Sequence, residues 1–369
     1  MRNAAQVLGK EPVKDVILIE NHSEALLHWL KKGYRNITVV HVDAHDDFEF
    51  VPEDKIKKIK ELVKDQKFTE IEGLMDAGDR SLFTLSNYLY PAAKLGVVKE
   101  IYWIMPFRLF EFSDAERRVK DYLKTMTSVY SIEDIEGMKM KGGCLSGKLF
   151  KTKVNICSPM TLPPIQEPVI FDIDTDFFPP FSAERGYSML RGVKEFFDDM
   201  NKRQLKIAAA DIAFSEAGNF LKPGHRYVAE QIAEALKNPQ ILHSTVPPEL
   251  WAVRDNANGM FLRGEWKELI EFLKEPLKKY PEEPSLIIFR ASAQVYTGKY
   301  REALEGFTGL CRRYERLCYG FVYAGRELKH QERYEASEMF FKKALELKPQ
   351  WSDAMFEYAD MFYRKGDYE

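Results

Sequence analysis

Two short segments concentrate the groups of this chain that could do chemistry. One reads His41-Val42-Asp43-Ala44-His45-Asp46-Asp47, the other Phe171-Asp172-Ile173-Asp174-Thr175-Asp176. Each follows an apolar, β-branched run, Ile37 to Val40 in the first case and Val169 to Phe171 in the second. Carboxylates gathered at the end of a buried strand repel one another and lose solvation as they leave water. A bound cation removes both costs, so the two segments read as strand ends that share a metal site. The plainer alternative is solvated loop acids after two unrelated strands, which a lone Asp-x-Asp would suit better than two acid clusters with a histidine between carboxylates. Oxygen-rich donors with few imidazoles favour magnesium or manganese over zinc. Several carboxylates able to bridge point to two ions, about 3.5–4 Å apart.

Such a site needs strands that end together. Before Pro247 the chain alternates strand and helix patterns. Strands are expected at Val16–Ile19, Ile37–Asp43, Glu100–Met105, Val169–Asp174 and Leu205–Phe214. Helices are expected at Ser23–Lys32, Pro52–Lys64, Ser81–Lys94, Ser113–Thr125, Ala183–Lys202 and Gly224–Lys237. Strands apolar on both faces, with helices between them, imply an α/β fold with a parallel sheet covered on both sides. In such sheets sites form at the carboxyl ends of the strands, where both acidic segments fall. The Gly- and Lys-rich stretch 137–155 reads as a surface hairpin beside the sheet, with a substrate-covering loop as the alternative.

Asp43-Ala44-His45 with Asp47, followed by Phe171-Asp172-Ile173-Asp174, resembles the ureohydrolases: arginase, agmatinase and relatives, which share a fold with histone-deacetylase-like enzymes. The resemblance implies an arginase-like sheet with Asp43, His45 and Asp47 as ligands from the first segment and Asp172 and Asp174 from the second. It places a further histidine upstream, and the match here is His22, just past the strand Val16–Ile19. These six would hold two manganese ions, with Asp43 and Asp172 as bridges and a hydroxide between the ions as nucleophile. The deacetylase branch keeps a single-metal set and adds catalytic histidine pairs that do not occur here; Asp47 and Asp174 favour the two-metal branch. The chain also departs from classical arginases. Ile19-Glu20-Asn21 stands where Gly-Gly-Asp precedes the upstream histidine, and Asp176-Phe177-Phe178-Pro179-Pro180 replaces the Asp-Pro after the second motif. No histidine between positions 46 and 224 can serve as the family's proton shuttle. His225 reads as a helix-start residue that could serve only if the fold brings it over.

These departures, with Ser86-Asn87-Tyr88-Leu89-Tyr90-Pro91-Ala92 and Ile101-Tyr102-Trp103-Ile104-Met105-Pro106, resemble a divergent arginase-like family. It includes peptide arginases, which convert arginine within a peptide to ornithine and release urea. A guanidinium stays charged and is best read by a carboxylate. The resemblance implies an acid on a late strand for that role. Asp211, the one acid in Lys206–Phe214, is the first choice, and Glu216 in the loop beyond is the second. The plainer alternative has Asp211 capping the loop or pairing with a local base.

The 369 residues suffice for two domains, and 45% hydrophobic content supports a packed core. A net charge of −3 carries no nucleic-acid footprint. The basic run Lys55–Lys67 reads as an amphipathic helix with a solvated face. No secretory leader or membrane-length apolar window is expected. Cys144, Cys157, Cys311 and Cys318 form no Cys-x-x-Cys pair, so reduced thiols in a cytoplasmic protein are the expectation.

After Pro247-Pro248 a period emerges. Trp266, Tyr300, Tyr334 and Tyr368 recur every 34 residues, as do Ala257, Ala291, Gly325 and Ala359. Gly264, Gly298 and Gly366 share the spacing, with Glu332 breaking the set. This resembles tetratricopeptide repeats, which are paired helices with small residues at their contacts. The division is therefore a hydrolase domain over 1–246 and a repeat domain over 249–369, with about three repeats, the last incomplete. Such arrays present a concave surface for a peptide or protein substrate; a dimerisation or stability module is the alternative. Two further functional readings stay open: a deacylase of a modified amine using one zinc ion, and a catalytically inactive scaffold that binds partners through its repeats.

Overall fold

In the computed structural model nine strands form one sheet among the described residues, which are 5–126, 129–215 and 223–366. They are β1 (Gln6–Val7), β2 (Val16–Ile19), β3 (Ile37–Val42), β4 (Val98–Ile104), β5 (Lys139–Lys141), β6 (Cys144–Leu149), β7 (Thr152–Cys157), β8 (Pro168–Asp174) and β9 (Lys206–Ala213). The order is β1-β9-β8-β3-β4-β7-β6-β5, and β2 also pairs with β9. From β2 through β9, β8, β3 and β4 to β7 every pairing is parallel; β1, β5 and β6 add antiparallel edges. Val39, Val40, Ile170, Phe171, Ile207 and Ala210 are fully buried, as expected of parallel strands covered on both faces.

Side-chain alternation along a strand assigns the two covering layers. Phe171 of β8 stacks on Phe196 of the helix Met189–Asn201 (centroids 6.3 Å apart). On the opposite face Asp211 of β9 accepts a hydrogen bond from Trp29 of the helix Glu24–Lys32. That helix presents Ala25, Leu26, Trp29 and Leu30 inward and ends on Gly33, whose left-handed backbone (φ 69°) closes it.

Several expectations are corrected. The helix expected over Ser81–Lys94 forms only at Leu89–Lys94. The Asn87 side chain instead accepts the Thr84 amide (2.8 Å), and Asp76 accepts that of Leu85 (2.8 Å); such local bonds compete with helix. The stretch 137–155 does turn back on itself as antiparallel hairpins, but within the sheet rather than beside it. It supplies β5, β6 and most of β7, and β7 pairs parallel to β4. The thiols are not free: Cys144–Cys157 and Cys311–Cys318 are disulfides. Cys144 and Cys157 lie directly across the antiparallel β6–β7 pair, with Cα atoms 4.6 Å apart. That is the spacing of a pair without backbone hydrogen bonds, which suits a cross-strand bridge.

Residue contacts divide the chain into two compact units: 5–215 with 228–247, and 223–227 with 248–366. The second is helical, with helices at Glu249–Leu262, Trp266–Phe272, Lys274–Lys279, Pro284–Tyr296, Tyr300–Arg313, Tyr319–His330, Tyr334–Leu347 and Ser352–Lys365. Three of them begin at the periodic aromatics Trp266, Tyr300 and Tyr334. Gly264, Gly298 and Gly366 all adopt left-handed backbone (φ 73°, 78° and 80°), and Glu332 adopts it too (φ 59°). Phe307, Phe321, Phe340 and Phe341 form its core. His225 belongs to this unit and is hydrogen-bonded to Asn258 (2.8 Å). No helix among the described residues is long and apolar enough to cross a membrane.

Candidate metal centre

β2, β3 and β8 end side by side, with β9 between β2 and β8, and deliver the acidic segments to one place. His22 follows the end of β2 at Ile19. His41 lies in β3 and Asp43 just past it, two residues apart and so on one face. Asp172 and Asp174 share a face of β8 by the same rule, and the register sets His41 beside Asp172. Asp47 takes left-handed backbone (φ 45°) in the loop after β3, which folds its carboxylate back toward the strand ends.

The side chains converge closely. His22 Nδ1 lies 3.0 Å from Asp43 Oδ2, 3.0 Å from Asp47 Oδ2 and 3.4 Å from Asp174 Oδ2. Its other nitrogen, Nε2, is 3.0 Å from Asp172 Oδ1. His41 Nδ1 is 3.0 Å from Asp172 Oδ2, which also accepts the Tyr88 hydroxyl (2.5 Å). His41 Nε2 is 3.5 Å from Asp43 Oδ2. On the other side of Asp43, the His45 amide donates to Oδ1 (2.7 Å), and His45 Nδ1 lies 2.8 Å from Asp176 Oδ2. Asp174 accepts the Asp176 amide (2.8 Å) and the Ser215 hydroxyl. All these groups are buried except His45, whose side chain is 43% exposed.

The donor set fits divalent cations. His22 Nδ1, His41 Nε2 and Asp43 Oδ2 are buried without a hydrogen-bond partner. The two nitrogens lie 3.0 and 3.5 Å from Asp43 Oδ2, and each of the three atoms would carry a desolvation cost that coordination removes. The charge balance agrees, since five carboxylates meet three imidazoles. Burial lowers the pKa of His22, but the negative carboxylates of Asp172, Asp174 and Asp43 around it outweigh that and raise it well above the usual range. His41 is raised for like reasons, with Asp172 foremost against burial. Asp176, then Asp43, push His45 up to about 11. Burial, then the charge of Asp43, pushes Asp47 up to about 7. Burial, then Asp174 and Asp43, pushes Asp176 well up.

Of the residues expected from sequence, His22, Asp43, His45, Asp47, Asp172 and Asp174 are all brought together. Asp211 is not among them. It is fully buried in β9, and its carboxylate accepts Trp29 Nε1 (2.6 Å) and lies 2.5 Å from His28 Nδ1. This is the pairing with a local base that the sequence also allowed. Glu216 lies outside the described residues. Three members were not anticipated as site residues. His41 and Asp176 carried a signal, since each stands two residues from a ligand candidate along the chain. Tyr88 arrives from a loop and carried none beyond the motif around it. No protein-family model matches the chain, and no curated protein matches it.

Proposed function

We propose that this chain is a binuclear manganese hydrolase of the ureohydrolase type, acting on the guanidino group of arginine. Peptidyl arginine, giving ornithine and urea, is the favoured substrate. One observation carries the reading: His22 Nδ1 stands among the carboxylates of Asp43, Asp47 and Asp174, buried and with no hydrogen-bond partner. The carboxylate-rich set suits manganese. The starting ligand set is His22, Asp43, His45, Asp47, Asp172 and Asp174. Divalent ions held there would make water nucleophilic at neutral pH. The chain's own groups supply the rest. Asp176 Oδ2 stands 2.8 Å from His45 Nδ1 at the open side of the cluster, where a proton held between them would be placed to reach a departing amine. Burial of Asp43, Asp47 and Asp172 excludes bulk water behind the reacting centre.

The peptidyl preference rests on the second unit. Three of its helices, from Trp266, Tyr300 and Tyr334, start at 34-residue intervals, and we read it as a tetratricopeptide module that holds the peptide or protein. A cytoplasmic location would require a cytosol that keeps disulfides, as in hyperthermophiles; oxidising compartments keep them generally.

A second reading has its own support. Two imidazole nitrogens, of His22 and His41, face one oxygen of Asp43, and a mixed nitrogen and oxygen set also suits a single zinc ion in a deacylase. Elemental analysis with urea release from arginine peptides after manganese loading separates the readings. Two manganese per chain with urea supports the ureohydrolase. One zinc without urea supports the deacylase, and no metal removes both.

A further inference from the structure

We infer that His41 ligates the metal directly through Nε2, and that Asp172 is not a ligand but the shared carboxylate that orients His22 and His41 from behind. This inference rests on the reading of the site as a metal centre.

Both oxygens of Asp172 are already engaged. Oδ1 faces His22 Nε2 at 3.0 Å, and Oδ2 faces His41 Nδ1 at 3.0 Å and the Tyr88 hydroxyl at 2.5 Å. Asp172 is fully buried, so no lone pair is turned toward open space. A carboxylate in that position sets the tautomer of each ring. With an ion bound, the proton would sit on His22 Nε2 and on His41 Nδ1, and the lone pairs of His22 Nδ1 and His41 Nε2 would be left for the metal. Those two nitrogens are the ones without hydrogen-bond partners, and Asp43 Oδ2, the third such atom here, lies 3.0 and 3.5 Å from them. Asp47 Oδ2, 3.0 Å from His22 Nδ1, completes the group. Donor atoms 3.0–3.5 Å apart have the spacing of ligands around one ion, whose bonds to nitrogen and oxygen are about 2.0–2.2 Å.

The register explains how the arrangement arises. His41 and Asp172 are paired positions on adjacent parallel strands, so their side chains leave the sheet together. The Tyr88 hydroxyl arrives from the loop that replaces the expected helix before Leu89, and its ring lies 4.9 Å from that of His22.

The test uses the intact wild-type protein labelled with nitrogen-15 at histidine and titrated with zinc as a diamagnetic probe. The expected result is a coordination shift at His41 Nε2 and His22 Nδ1, with His41 Nδ1 and His22 Nε2 remaining protonated. In parallel, Asp172→Asn should keep the ion with about 10–100-fold weaker affinity, as for carboxylates that support ligating histidines. Asp43→Asn should lose it. Zinc bound without any change at His41 Nε2 overturns this inference and leaves the metal centre standing. Loss of the ion from a folded Asp172→Asn protein, as complete as in Asp43→Asn, also overturns it. No zinc binding by the wild-type protein removes the metal centre itself, and this inference with it.

Discussion

Asp172 and Asp211 are paired positions on the adjacent parallel strands β8 and β9, yet their carboxylates serve different partners. Asp172 receives His22, His41 and Tyr88 at the candidate metal centre, and Asp211 receives His28 and Trp29 of the first long helix. With His41 on β3 they form a continuous buried polar row across three strands. One end of that row lies in the candidate site and the other fastens the helical layer beside it.

The fastening can be measured. Asp211→Ala leaves the Trp29 and His28 donors facing an emptied acceptor, and a buried polar group without its partner costs about 1–3 kcal/mol. The variant should lose about 3 kcal/mol of stability in urea denaturation while keeping the wild-type metal stoichiometry. Unchanged stability would show that the helix is held by its apolar face alone.

Metal loading should expel protons. A histidine must be neutral to coordinate, whereas in the metal-free protein carboxylate neighbours hold His45 to about 11 and raise His22 and His41. The stability that His45 gains from Asp176 is complete below the ordinary imidazole pKa and is lost as pH rises through about 11. Ion affinity runs the other way and strengthens with pH. Calorimetric titration at pH 7, in buffers of different ionisation enthalpy, should find at least one proton released per ion. Zero release would mean that the imidazoles are not the groups displaced.

In the helical unit two substitutions should act in opposite directions. A Cβ on Gly325 would lie 2.6 Å from Phe341 Cε1, and overpacking of this kind costs about 1–3 kcal/mol. Gly325→Ala should therefore lower the melting temperature. Glu332 holds φ 59°, a conformation that costs a residue with a Cβ about 1–2 kcal/mol, so Glu332→Gly should raise it. A fall with Glu332→Gly would mean that the side chain contributes more than its backbone loses.

The disulfides give a chemical count. Denatured, unreduced protein should show no reactive thiol, and reduced protein should show four. The Cys144–Cys157 bridge spans 13 positions, and closing a loop of that length stabilises by about 3 kcal/mol. Replacing both cysteines with serine should cost about that much in chemical denaturation. Thiols that react before reduction would overturn the pairing.

Much of the site was legible because strand physics is local. Apolar runs ending in Asp43 and Asp174 marked β3 and β8, and the carboxylate clusters marked their ends. His41 reads as strand interior because it lies inside an apolar run; its place in the site depends on the register with Asp172, which no local pattern carries. Asp211 reads as a substrate group because its partners, His28 and Trp29, come from a helix far away in sequence. Glu332 breaks a column of glycines in the sequence and keeps their backbone conformation, since periodic residues mark a shape that side chains elsewhere can impose. The cysteine pairing followed from the antiparallel turn of β6 into β7, hidden in a stretch read as surface hairpin.

Asp43 turns its two oxygens to different neighbours, Oδ2 to His22 and His41 and Oδ1 to His45. Were ions held on both sides of this carboxylate, the two positions would not fill independently. An ion drawing on Oδ2 would fix the rotation of the carboxylate and withdraw electron density from Oδ1. The first occupant would thus set both the geometry and the basicity offered to the second. Loading would be an ordered process, and by reciprocity any change that weakened one position would be felt at the other.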